Sequence, residues 1–125
     1  MDETQVARLI AQTGGEVRVA AALMAFAGFR LVEVPALRHR DIAYTEDGVV
    51  IRVRSKDGAT VRIAAGEPLR SILAAEHGEA ADKVVGWSAA RLRDEMNRAM
   101  KAAGVEESAH ALRYWFATSR MANAR

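Results

Sequence analysis

The sequence predicts an α+β fold, a mainly helical domain with a small three-stranded antiparallel sheet. Two observations lead to this prediction. Apolar residues recur with the helical period toward both ends of the chain, whereas residues 41–64 alternate between apolar and polar as strands do. A chain of 125 residues that is 50% hydrophobic is also long enough for one domain with its own core.

The first helices are marked by their ends. A first helix ends near Gln12, and a second, 16–27, is apolar nearly all round, which predicts that it is buried. Gly28 ends the second helix, because glycine readily adopts the left-handed conformation at a helix C-terminus. A short helical stretch is expected over 32–37, unless Pro35 instead marks its start.

The period then changes from helical to alternating. A weak strand is expected over 41–44, a strong one over 49–54, and a return strand over 59–64. Between the last two, Ser55-Lys56-Asp57-Gly58 is a turn in which Asp-Gly is the hairpin signal. These segments together predict the small antiparallel sheet.

Helices resume after the sheet. Pro68 can open a helix that runs to about His77. Ser88 caps an amphipathic helix that runs to about Ala103, and Ser108 starts the last helix.

Composition excludes several classes of site and leaves nucleic acid open. The chain has no cysteine, which excludes disulfides and cysteine-based zinc sites, and it has neither a spanning segment nor a signal-peptide pattern. The chain has eighteen Lys and Arg residues and sixteen Asp and Glu residues, which gives a net charge of +2. This excess is too small to predict nucleic-acid binding by itself. Arginine supplies nearly all of the positive charge and suits phosphate geometry, although a GC-rich genome also yields such a composition.

Three short segments carry candidate chemistry. Gly28-Phe29-Arg30 places an arginine just past a buried helix, where a charge is costly without a partner, and Glu33 is near enough to orient it. The alternative is an ordinary structural Arg–Glu pair at a helix end. Lys56 lies at the tip of the predicted hairpin, where a lysine is normally only solvated. His110 and Arg113 share one face near the start of the last helix, which suits a phosphate clamp or a plain amphipathic surface.

In this order, the segments resemble the catalytic domain of the tyrosine recombinases, the phage integrase family. GFRLVEV, followed by LRHRDI, looks like the first arginine box of that family. VVIRVRSKDGATVRIA is similar to its β-hairpin with the active lysine, and HALRYWFAT resembles its second box. The resemblance covers residues 1–125 and implies an integrase catalytic-domain fold that acts in site-specific DNA recombination.

The resemblance also implies a role for each matching residue. Arg30 and Arg113 would hold the non-bridging oxygens of the scissile phosphate, and His110 would hydrogen-bond the same group. Lys56 would act as general acid on the departing 5′ oxygen, and Glu33 would support the first arginine. The family uses no metal or other cofactor.

The sequence departs from the family in its nucleophile. The family's late His or Trp and its nucleophilic tyrosine lie well beyond the second box, and neither Tyr44 nor Tyr114 matches that place. Both tyrosines, and likewise Trp87 and Trp115, are expected to be packing residues. We therefore expect a catalytic domain that is incomplete as an enzyme, without the nucleophile segment and without the family's N-terminal core-binding domain.

The expected partner is double-stranded DNA. The expected location is the cytoplasm, for a protein encoded by a bacterium or by a phage. A second copy of the chain or a full-length recombinase is a further expected partner, because protomers of the family exchange C-terminal elements. Two alternatives remain open at this stage. One is a DNA-binding or recombinase-partner module without chemistry, and the other is a plain helical domain with accidental matches.

Overall fold

The computed structural model describes residues 1–54 and 57–123, with side chains described as far as residue 119. Five α-helices, two 3-10 helices and a three-stranded antiparallel sheet make up the described fold, which confirms the predicted α+β class. The helices are α1 (Glu3–Gln12), α2 (Gly15–Ala27), α3 (Leu69–Ala74), α4 (Ala89–Ala102) and α5 (His110–Asn123); the 3-10 helices are Leu31–Ala36 and His39–Asp41; the strands are β1 (Ile42–Tyr44), β2 (Val49–Arg54) and β3 (Thr60–Ala65).

Helix α2 forms the centre of the molecule, as its apolar sequence predicts. Its residues from Val19 to Ala25 are at most 1% exposed. The helix packs against α1, α3, α4, α5, β3 and the first 3-10 helix. Alanine is its most frequent residue, and a side chain of that size lets neighbouring elements approach the helix. Gly28 ends α2 in the left-handed conformation with φ 73°.

Strand β2 lies in the middle of the sheet, between β1 and β3. Val49, Ile51 and Val53 are buried, while Arg52 and Arg54 alternate with them and are exposed. This is the predicted alternation of a strand with one face on the core.

The two strand pairs differ in length. β3 pairs with β2 along its whole length, from Val49↔Ala65 to Arg54↔Thr60. β1 pairs only as far as Ile42↔Ile51. The last three residues of β2, 52–54, therefore lie beyond β1, and the second 3-10 helix contacts β2 there.

The short helical stretch predicted over 32–37 is the 3-10 helix Leu31–Ala36, and Pro35 lies inside it, so the alternative start at Pro35 is wrong. One helix end differs from the sequence prediction by several residues. Helix α3 ends at Ala74 and not near His77. The chain after it runs back along the second 3-10 helix, where the backbone N–H groups of His39 and Arg40 bind carbonyls of the loop. Those tertiary hydrogen bonds compete with further helical turns.

Within the described ranges, none of the helices combines the length and apolar character that crossing a membrane requires.

Candidate functional site

The turn after α2 carries the first candidate arginine. Gly28 reverses the chain, Phe29 is buried at 1% exposure, and Arg30 leaves the helix in an extended conformation with φ −78° and ψ 147°. Arg30 is exposed, contrary to the buried environment that the sequence suggested. The Phe29 side chain fills the core at the end of α2. The Arg30 side chain therefore remains in solvent, and its charge stays hydrated.

Glu33 contacts the backbone of Arg30. Its carboxylate accepts a hydrogen bond from the Arg30 backbone N–H at 2.7 Å, which closes the first turn of the 3-10 helix. A carboxylate at this position is also stabilised by the partial positive charge at the N-terminus of the helix. Glu33 thus binds the main chain of Arg30, and its carboxylate forms no ion pair with the Arg30 guanidinium among the described residues.

Arg113 is tied to the same turn from the other side. Its Nε donates a hydrogen bond to the carbonyl oxygen of Gly28 at 3.1 Å, across 85 positions of sequence. This bond fixes one edge of the guanidinium. The two terminal nitrogens face away from Nε, so an anchored Arg113 still presents a fork of donors.

Two cavities join these side chains. The first, of about 500 Å³, is lined by Arg30, Glu33 and Arg113 together with residues of the hairpin, including Asp57 and Val61. The second, of about 530 Å³, is lined by Arg30, His110 and Arg113 together with residues of α4. The structure therefore brings both arginines and the histidine to one place. Lys56 lies outside the described residues, although Asp57, which follows it, lines the first cavity.

No protein-family model and no curated protein matches the chain, whereas solved structures do. XerA recombinase superposes on 100% of this chain with a TM-score of 0.83 at 22% identity, over 50% of its own length. The integrase of mycobacterium phage Brujita matches 92% of the chain with a TM-score of 0.78 at 23% identity, over 41% of its own length. The catalytic core of lambda integrase matches 94% of the chain with a TM-score of 0.69 at 18% identity, over 80% of its own length.

The chain has the fold of the tyrosine recombinase catalytic domain. The fold extends over the whole chain, as the sequence motifs predicted. The chain spans 50% of the length of XerA recombinase and 41% of the length of the phage integrase.

On this recombinase fold, the two tyrosines do not pack as expected. Tyr44 is 44% exposed and Tyr114 is 71% exposed, so their prediction as core residues is wrong. Tyr44 lies on the short edge strand β1, where its ring is stacked by Arg70 at 5.9 Å. Partial burial raises the pKa of Tyr44, and the nearby Arg70 guanidinium opposes this shift. Tyr114 follows Arg113 on α5 and points off the helix into solvent.

The tryptophans do pack as predicted. Trp115 contacts Phe26 edge-on with ring centroids 5.9 Å apart, which joins α5 to α2. Trp87 packs partly against the core and carries the Arg91 guanidinium 3.8 Å above its ring.

The sequence reasoning missed two residues of α4 in the recombinase fold. Arg93 and Asn97 line the second cavity with His110. The Asn97 side-chain oxygen accepts a hydrogen bond from the Ala109 backbone N–H at 2.8 Å, which holds the chain at the start of α5. Their spacing of four residues places them on one face of α4. The spacing predicts that they share a surface, but it does not predict which part of the protein that surface contacts.

The second cavity is cationic. Arg30, Arg93 and Arg113 line it with His110, and none of its described lining residues is acidic, whereas Glu33 and Asp57 line the first cavity. Across the described part of the chain, no group of three or more His, Asp or Glu side chains is arranged to hold a metal ion. The arrangement suits an anion held by guanidinium forks.

Proposed function

We propose that the chain is the phosphate-binding part of a tyrosine recombinase catalytic domain, which acts in site-specific DNA recombination. One observation carries the proposal. Arg30 and Arg113, which are far apart in sequence, line the same two cavities, and His110 lines one of them. The match in fold to recombinases and integrases over the whole chain supports it.

The two guanidinium groups bind the scissile phosphodiester of double-stranded DNA. Each presents a planar fork of N–H donors that fits two phosphate oxygens. During strand cleavage the oxygens around phosphorus gain negative charge, so donors already fixed in place stabilise that state more than the ground state. Gly28 fixes Arg113 through its Nε, and Glu33 fixes the main chain at Arg30.

His110 adds a further donor at the start of α5. The N-terminus of a helix favours an anion, because its first backbone N–H groups point outward and the dipole is positive there. Asn97 holds the preceding backbone, which keeps the imidazole at the cavity. His110 hydrogen-bonds the bound phosphate and assists proton transfer.

Lys56 is the general acid for the departing 5′ oxygen in this proposal. In the sequence it lies between β2 and β3 and directly before Asp57, which lines the cavity of Arg30 and Arg113. An ammonium group on a hairpin loop can reach a DNA groove and donate its proton to a leaving oxygen.

The nucleophile comes from outside these 125 residues. Neither Tyr44 nor Tyr114 lines either cavity with Arg30 and Arg113. A tyrosine from a further segment of the protein or from a partner recombinase would complete the site. The same observation favours a second candidate, a module that binds DNA or a recombinase without chemistry. Formation of a covalent adduct on a nicked duplex, by the protein extended with a tyrosine-bearing tail, distinguishes the two.

Substitution of the two arginines tests the proposal. We expect Arg30→Gln and Arg113→Gln each to weaken binding to duplex DNA about eightfold at 0.1 M salt, and to reduce the salt slope by about 0.9, because each loses one phosphate contact. Titration by fluorescence anisotropy over a range of salt concentrations measures both quantities.

Arg98→Gln is the matched control. Arg98 is exposed on α4, pairs with Glu95 at 2.9 Å, and lines neither cavity, so its loss removes the same charge away from the site. If the two site variants bind DNA no more weakly than Arg98→Gln while circular dichroism shows them folded, the phosphate clamp is wrong.

A further inference from the structure

A third cavity lies beside the proposed phosphate site. It has a volume of about 670 Å³ and lies between the two 3-10 helices and the end of β2. Four arginines line it, and we call it the arginine groove; these are Arg38, Arg40, Arg52 and Arg54.

The groove follows from the unequal strands of the sheet. β1 pairs with β2 only as far as Ile51, so residues 52–54 continue without a β1 neighbour. The segment before β1 forms the second 3-10 helix, and Arg40 from this helix lines the same cavity as Arg54 from the end of β2. Phe29 and Val53, which are buried, form part of its floor.

The guanidinium groups of two of the four arginines already bind other groups of the protein. The Arg38 guanidinium donates to the carbonyl of Ala81 at 2.5 Å. Arg52 pairs with Asp41 at 3.3 Å, and that carboxylate also accepts the backbone N–H of Arg38. These contacts shape the wall of the groove.

The other two arginines supply uncompensated charge. Arg40 and Arg54 are exposed, and neither forms an ion pair with any residue of the ranges 1–54 and 57–123. The acidic residues of the groove are both engaged, Asp41 with Arg52 and Glu33 with the Arg30 backbone. The groove therefore presents two available guanidinium forks to an anion.

We propose that the arginine groove binds the DNA backbone next to the phosphate held by Arg30 and Arg113. This inference rests on the proposed function, because the groove and the phosphate cavity share Glu33 and Val53 as common walls. A strand whose phosphate lies between Arg30 and Arg113 continues over this shared wall, and its neighbouring phosphates meet Arg54 and Arg40.

Phosphates fit the groove better than an acidic peptide does. A DNA strand carries one charge at each nucleotide in a regular row, so the two arginines that line one groove can each bind a phosphate of the same strand. These contacts fix the position of the duplex and carry no base sequence, so they serve any target site. Arginine forks bind phosphate oxygens in pairs, which orients the strand as well as attracting it.

The double variant Arg40→Gln/Arg54→Gln tests this surface. We expect its affinity for duplex DNA at 0.1 M salt to fall about sixtyfold and its salt slope to fall by about 1.8, because two phosphate contacts are lost. The loss is the same on unrelated duplex sequences. The matched control is Arg62→Gln, an exposed arginine of the same sheet that does not line the groove. A control that loses as much affinity per charge as the groove variant overturns the proposal in favour of general attraction.

Replacing single phosphates by uncharged methylphosphonates shows which phosphates of the duplex contact the arginine groove. In a duplex with a single methylphosphonate replacing one phosphate, we expect the wild-type chain to lose affinity at the positions beside the scissile phosphate. The groove variant should be indifferent at those same positions, yet still sensitive at the scissile one. Equal sensitivity of both proteins at every position refutes the groove as a phosphate site.

The outcomes separate this inference from the proposed function. If Arg30→Gln and Arg113→Gln weaken binding but the groove variant does not, the groove proposal alone fails. If none of these variants weakens binding, the proposed function fails as well. If the groove variant keeps its DNA affinity but loses self-association measured without DNA, an acidic segment of a second copy is the occupant and the inference is wrong.

Discussion

At the scale of single residues, the site depends on Gly28. Its left-handed conformation ends α2, its carbonyl anchors Arg113, and it lies two residues before Arg30. A Cβ at this position would lie 2.5 Å from the ring of Phe116. The residue is therefore restricted twice, by its backbone conformation and by the approach of α5.

Replacement of Gly28 by alanine should destabilise the protein more than the same change at another helix end. Gly104 ends α4 with φ 82°, and a Cβ added to it would meet nothing within 4 Å, so Gly104→Ala incurs only the backbone penalty of about 1–2 kcal/mol. Gly28→Ala incurs this penalty together with about 1–3 kcal/mol for overlap with Phe116. Urea denaturation of both variants measures the difference. Equal losses would mean that the Phe116 ring moves aside at no cost.

At the scale of elements, repulsion between positive charges lowers the stability of the β2–β3 hairpin. Arg52 lies directly opposite Arg62 in the β2–β3 register, so two guanidinium groups share one face of the sheet. Like charges in opposed positions destabilise a strand pair. Asp41 relieves the repulsion in part through its ion pair with Arg52.

Removal of one member of this pair should stabilise the protein. We expect Arg62→Thr to raise the free energy of unfolding by about 0.2–1 kcal/mol, because the repulsion ends and threonine suits a strand. Arg62→Lys keeps the charge and serves as the control, with no gain expected. The urea midpoints of the two variants compare them, and a gain that persists undiminished in 1 M salt would point to strand propensity alone.

At the scale of the whole molecule, α2 joins the parts of the fold into one core. It contacts each of the other α-helices, the sheet and the first 3-10 helix. Both candidate arginines are positioned from its C-terminal end. Loss of α2 packing would therefore remove the site and the core together.

We expect the chain to unfold in a single cooperative transition. Small domains with one core do so, and here α2 packs against the four other α-helices and β3, while β1 and β2 are joined to β3 through the sheet. In a Trp87→Phe variant, Trp115 fluorescence reports the contact of α5 with Phe26 of α2. Its urea midpoint should coincide with that of far-ultraviolet circular dichroism. A Trp115 transition at lower urea would show that α5 separates first and that Arg113 is held more loosely than the core.

Local patterns were enough to predict the elements and the family-like motifs. The period of α2, the alternation of β2 and the hairpin signal each depend on residues close together in the chain, and the helix end at Gly28 needs only that residue's backbone freedom. The motifs around Arg30 and His110 were visible for the same reason. The structure places both in one cavity.

Only the tertiary structure decided how those parts meet. The bond from Arg113 to Gly28 spans 85 positions, the joining of Arg93 to the site depends on how α4 packs, and the arginine groove depends on β1 being shorter than β2. The exposure of Tyr44 and Tyr114 was likewise set by which faces their neighbours left uncovered. Short-range patterns encode the preferences of the backbone, whereas these contacts arise from the packing of distant segments, which no single stretch of sequence contains.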